Sequence, residues 1–172
     1  MNTLIKSITA REILDSRSNP TIETEITLDC GLKAKASVPS GASTGIHEAI
    51  ELRDKNKKRF LGKGVLKACE NVNKKIANYL KGEDVLNQEK IDQLLIKLAG
   101  QNKTNLGANA TLSVSLATAR AAALAENIEL HEYLAKKYEL VRRSDKGSLK
   151  SEDGQNIPMF NIFNGGAHAD SN

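Results

Sequence analysis

Polar and hydrophobic positions alternate most cleanly over residues 21–29. Ile22, Ile26 and Leu28, with Thr24 between them, fall on one side, and Glu23, Glu25, Thr27 and Asp29 fall on the other. A period of two over this length predicts a half-buried strand. Residues 4–13 are apolar and β-branched enough for a strand before it. Residues 15–20, rich in Asp, Ser and Asn and closed by Pro20, read as the loop between the two. Asp29-Cys30-Gly31 reads as a hairpin turn, with Gly31 free to take positive φ, and 32–38 as the return strand. The expected unit is a three-stranded antiparallel meander with one wet face.

From Val65 the period lengthens. Val65, Cys69, Val72, Ile76 and Leu80 recur every three or four residues, the mark of a helix with one buried face, and Gly82 stops it. A second helix starts near Asn87, a candidate cap. It carries the stripe Ile91, Leu94, Leu95 and Leu98 and ends at Gly100. A third, over 109–126, is dense in alanine and serine and apolar on most sides, which predicts a central helix approached closely from several directions. Arg120 is the exception on it and is expected to reach the rim. Residues 130–138 form a short fourth helix with Leu130, Leu134 and Tyr138 on one face. Strands followed by a helical cluster define an α+β fold.

Residues 141–156 are polar, mixed in charge and without periodicity, and read as a linker. Residues 157–163 are nearly continuous in apolar side chains, as in a strand buried on both faces. Such a strand needs neighbours on both sides. The expected organisation is therefore a domain over 1–140, a linker over 141–156, and over 157–172 the first strand and loop of a truncated second domain.

Between the third strand and the first helix lies Ser40-Gly41-Ala42-Ser43-Thr44-Gly45, which can contribute little to a core. It offers backbone N–H groups and hydroxyls instead, donors suited to phosphate or a hard cation such as magnesium. The alternative is a surface turn leading into a helix capped by Ser43 or Thr44.

Bulk properties narrow the classes. The 172 residues carry a net charge of +4, spread along the chain, and its densest basic run is Lys55-Asn56-Lys57-Lys58-Arg59. Aromatic residues make up 3% and do not interleave with that run, which argues against a stacking surface for nucleic acid and favours a solvated loop. Cys30 and Cys69 have no metal-like spacing, so a reducing compartment is expected rather than a disulfide framework. With no apolar leader and no apolar run of membrane length, the chain reads as cytoplasmic.

Asp15-Ser16-Arg17 with Asn19-Pro20-Thr21, Ser40 to Gly45 followed by Glu48-Ala49 and Glu51-Leu52-Arg53-Asp54, Gly62-Lys63-Gly64-Val65, Asn71-Val72-Asn73, Leu106-Gly107-Ala108-Asn109-Ala110, Val114-Ser115-Leu116-Ala117 and Asn164-Gly165-Gly166-Ala167-His168 stand out as motifs. Together these segments resemble the enolases, glycolytic 2-phosphoglycerate dehydratases. They occur in the family's order and span nearly the whole chain except roughly 141–156. The resemblance implies an N-terminal capping domain of meander plus helices, then the start of an α/β barrel.

By the same resemblance, Ser40 to Gly45 is the family's mobile active-site loop. Ser43 would help bind the second of two Mg²⁺ ions, Ala42 and Ser43 would lie against substrate, and His168 would contact substrate from a second loop. Arg17 and Glu23 would serve a homodimer contact at the edge of the N-terminal sheet. The implied reaction converts 2-phosphoglycerate to phosphoenolpyruvate. A lysine takes the proton next to the carboxylate, two Mg²⁺ hold the enediolate, and a glutamate assists the leaving hydroxyl. The base lysine, the acid glutamates and the main metal carboxylates belong to the family's barrel and lie beyond Asn172, so no turnover is expected from this chain alone. The sequence departs from the family at Ser18, where glycine is usual and positive φ would strain a serine, at 98–103 around Ala99, and at Thr111 and Ser113, which replace an aliphatic residue and a glycine. Two other functions fit parts of the pattern. One is a non-enzymatic module pairing with full-length enolase. The other is a phosphate- or nucleotide-binding protein, for which the Walker spacing before Gly62-Lys63 is absent.

Overall fold

The computed structural model describes residues 1–39, 48–100 and 105–138. Its strands are β1 (Ile5–Leu14), β2 (Pro20–Leu28) and β3 (Lys33–Ser37), antiparallel in the order β1-β2-β3. The alternation expected in β2 is met: Ile22, Thr24, Ile26 and Leu28 are fully buried, opposite the more accessible Glu23, Glu25 and Thr27. Gly31 turns the hairpin at φ 88°. The outer face of the sheet carries a cross-strand network in which Glu23 takes Arg11, and Glu25 takes Lys33 and Lys35.

The helix expected from Val65 is one continuous right-handed run with an irregular middle. It comprises α1 (Leu66–Glu70), a π-helical stretch (Asn71–Ile76) and α2 (Ala77–Leu80). Val65, Cys69, Val72, Ile76 and Leu80 are all buried. The π stretch carries Asn73, whose side chain works as a piece of backbone. Its Oδ1 accepts from Ala10 N at 2.6 Å and its Nδ2 donates to Ala10 O at 3.0 Å. An edge strand offers unpaired groups of this kind, and here an amide covers them.

The N-terminus is stitched to the turn that follows α2. Ile5 N donates to Glu83 O at 2.8 Å, Gly82 N to Ile5 O at 2.9 Å, and Thr3 Oγ1 to Asp84 Oδ1 at 2.7 Å. Asn87 caps α3 (Gln88–Ala99) by accepting from Lys90 N, as expected. The central helix is α4 (Ala108–Glu126), buried along most of its length against β2, β3 and its helical neighbours. Its small side chains allow that approach. A polar contact joins it to β2: Thr24 Oγ1 and Ser113 Oγ, both fully buried, lie 2.7 Å apart. Arg120 reaches the rim, where it donates to Lys35 O.

In α5 (Leu130–Lys137) the expected face is corrected only at its end. Tyr133 is the buried aromatic, while Tyr138 is 53% exposed. Leu130 and Leu134 only partly cover the core beside it. The helix opens with a capping box between Glu129 and Glu132. No helix among the described residues is long and apolar enough to cross a membrane.

Candidate functional site

Antiparallel order brings three chain segments to one end of the sheet: the turn between β1 and β2, the chain leaving β3, and the segment that follows residues 40–47. The turn is built on Asp15. Its Oδ1 accepts from Arg17 N and Asn19 N, each at 2.8 Å, and Ser18 N donates to Asp15 O at 3.0 Å. Ser18 takes φ 58°, the left-handed conformation in which glycine is unstrained. The Asn19 N–H, then the Arg17 N–H and the charges of Arg17 and Arg53, hold the Asp15 carboxyl below its ordinary range against a smaller opposing effect of burial.

The chain leaves β3 under tight control. Val38 N donates to Ile22 O at 3.1 Å, and Val38 O accepts from Thr21 Oγ1 at 2.5 Å. After residues 40–47, polar groups rather than a regular element take hold of it. Asn109, in the first turn of α4, bonds both backbone groups of Leu52, accepting from its N–H and donating to its carbonyl, each at 3.1 Å. Ala108 N donates to Ile50 O at 2.8 Å. Gly107, at φ 93°, permits this approach, since a Cβ there would stand 2.5 Å from Leu52 Cβ. Asp54 accepts from Leu66 N at 3.0 Å and Lys67 N at 2.9 Å, so a carboxylate from a distant segment caps α1. Arg53 Nη1 donates to Pro20 O at 2.6 Å and Lys63 O at 2.7 Å, while its Nε and Nη2 hold Glu51 Oε2.

The alternative of a turn leading straight into a helix is corrected here. Residues 48–54 form no helix, because their backbone groups are spent on these clamps. Arg59, in the basic run, pairs with Glu12, whose Oε2 also accepts from Val65 N at 2.7 Å. The Arg59 guanidinium holds the Glu12 carboxyl below the ordinary range, although partial burial opposes it. Lys55, Lys57 and Lys58 are exposed, as a solvated loop requires.

Ser40, Gly41, Ala42, Ser43, Thr44, Gly45 and His168 lie outside the described residues, as do the linker and the strand expected over 141–163. Arg17 and Glu23 are both described and belong to different elements. Arg17 sits in the turn. Glu23 is on β2, the central strand, where its carboxylate accepts from Arg11 Nε at 2.8 Å. The expected sheet-edge position of Glu23 is therefore corrected to the outer face of the sheet. Sequence reasoning missed the roles of Asn109, Arg53 and Asp54. The available signal was an asparagine opening an otherwise alanine-rich helix, and an acid–base pair in a stretch with no period.

The described residues do not by themselves fit a magnesium site. Several carboxylates at this end of the sheet are engaged: Glu12 by Arg59 and Val65 N, Asp15 by its own turn, Glu51 by Arg53, and Asp54 by the start of α1. No group of three metal-ligating side chains occurs among the described residues.

Comparison with known proteins follows the same lines as the fold. The model of the enolase N-terminal domain matches residues 5–134. The chain is 54% identical over 170 residues to Enolase 2 of Pseudomonas syringae pv. syringae (strain B728a), and equally to Enolase 2 of Pseudomonas syringae pv. tomato (strain ATCC BAA-871 / DC3000). In both cases the match covers 98% of this chain and 37% of the relative, so the chain spans little more than a third of the length of these relatives. A meander closed by helices, the clamped segments around the serine-rich stretch and this identity lead to one statement: the chain belongs to the enolase family, through that family's N-terminal domain.

Proposed function

We propose that this chain supplies the capping domain of a magnesium-dependent enolase, a lyase that dehydrates 2-phosphoglycerate to phosphoenolpyruvate in the cytoplasm, and that it does not turn over alone. The observation that supports this best is the frame around residues 40–47. Val38 is bonded through both backbone groups, and the chain is caught again at Leu52, Arg53 and Asp54. Fixed flanks suit a loop that must return repeatedly to one place over a substrate. In this reading Ser43 gives one oxygen to a Mg²⁺ ion, and Ala42 and His168 lie against substrate. The ion would neutralise charge developing on the substrate carboxylate, and its carboxylate ligands, the base lysine and the acid glutamates come from the barrel. What the described residues do is hold the flanks of that stretch.

The test joins residues 1–172 to the remaining part of the Pseudomonas syringae Enolase 2 and follows phosphoenolpyruvate formation. The chain alone should show background rates and the chimera should be active. Ser43→Ala should cost about 10–100-fold in activity or in apparent magnesium affinity. A folded, inactive chimera would overturn the reading.

A second reading is that the chain pairs with full-length enolase as a non-enzymatic module, or forms the family's homodimer, through Arg17 and Glu23. A shallow depression of about 290 Å³ on the outer face of the sheet, lined by Thr9, Ala10, Arg11, Glu23 and Glu25, favours a contact there. Mixing the chain with the full-length enzyme and following particle size and activity would decide it. Unchanged size and unchanged activity would remove it.

A further inference from the structure

The clamps on 51–54 lead to different parts of the molecule. Asn109 leads to α4 and Asp54 leads to α1. Arg53 leads to the sheet end. Its Nη1 reaches Pro20 O, the first carbonyl after the 15–19 turn, and also Lys63 O. Lys63 in turn sends its Nζ to Asn19 Oδ1 at 2.9 Å, which closes a second strut onto the same turn. On its other edge the guanidinium holds Glu51. One planar group with several donors can satisfy two carbonyls and a carboxylate at once, which a lysine ammonium on a flexible stem cannot do in the same geometry.

We propose that Arg53 is a positioning residue that ties the 15–19 turn to the 51–54 segment, so that these two segments at this end of the sheet hold or open together. The lowering of the Asp15 carboxyl, to which the Arg53 charge contributes, agrees with this proximity. The coupling stands on the geometry alone. Its consequence for catalysis rests on the enolase reading, in which the loop between Val38 and Leu52 carries Ser43.

The test is amide hydrogen exchange on the full chain, comparing the wild type with Arg53→Lys, Arg53→Met and a control, Ile91→Val, in the buried face of α3. In both Arg53 variants the amides of Leu52 and Asp54 and those of Asp15 and Ser18 should exchange about tenfold faster or more, together, while α3 and α4 keep their protection. The control should loosen amides without singling out those two segments. Faster exchange at Leu52 and Asp54 with an unchanged 15–19 turn would overturn the proposal. So would wild-type behaviour of Arg53→Lys, because only the guanidinium fork can hold both carbonyls and Glu51 in this geometry. In the active chimera, Arg53→Lys should lower kcat with little change in stability. An inactive chimera with the exchange pattern intact would defeat the enolase reading and leave the coupling standing.

Discussion

Ser18 occupies φ 58° in a turn otherwise organised by Asp15. Left-handed backbone costs an L-residue about 1–2 kcal/mol, and glycine gives back about 0.4–1 kcal/mol through the freer unfolded chain. Ser18→Gly should therefore stabilise the domain by about 0.5–1 kcal/mol in chemical denaturation, and Ser18→Val should destabilise it. Glu12 gives a prediction in pH. Its side chain is 9% exposed and its carboxyl titrates below the ordinary range. As pH falls through the ordinary glutamate range, the unfolded chain takes up this proton first, so stability declines, and the decline continues until the folded carboxyl is protonated. Glu12→Gln should flatten that acid limb and cost about 1–3 kcal/mol at neutral pH, because Arg59 loses its partner in a partly buried site. The departure at Ser18 is visible in the sequence as a residue out of place. The partner of Glu12 is not visible, since 47 positions separate it from Arg59.

Among the elements, strands and helices are legible because each buries one face, and a period in one dimension reports that directly. The clamps leave no period. Asn73 on Ala10, Asn109 on Leu52 and Asp54 on α1 each act on backbone groups far along the chain, so only three-dimensional placement reveals them. In α5 the stripe through Leu130 and Leu134 holds, but Tyr133 beside them is buried while Tyr138, at the C-cap, is exposed. Two predictions belong to contacts between elements. Gly107→Ala would place a Cβ against Leu52 in a backbone conformation hostile to L-residues, and should cost about 2–4 kcal/mol in denaturation. Ser113→Ala should cost about 1–3 kcal/mol by stranding the buried Thr24 hydroxyl, and Thr24→Val should cost less, because Ser113 Oγ still donates to Ala110 O at 2.9 Å. The double variant should cost less than the sum, which a double-mutant cycle would measure.

For the whole molecule, the two cysteines report on opening. Cys30 is exposed in the hairpin, whereas burial, with help from Glu12 and Asp54, pushes the Cys69 thiol up to about 11. A thiol reagent should modify Cys30 at once and Cys69 only as fast as the core opens. Two equally fast reactions would contradict the packing of α1 on β1. The meander, the helices and the order of the elements were legible from the chain. The frame around residues 40–47 was not, because it depends on which distant amide meets which carbonyl. The central position of α4 also has a consequence for synthesis. A ribosome releases the strands first, yet Ile5 finds its backbone partners only at 82 and 83, and the inner face of β2 and β3 is covered only by a helix ending at Glu126. Until that helix is made, the inner face of the strands stays uncovered, and this interval is the one in which a chaperone would matter most.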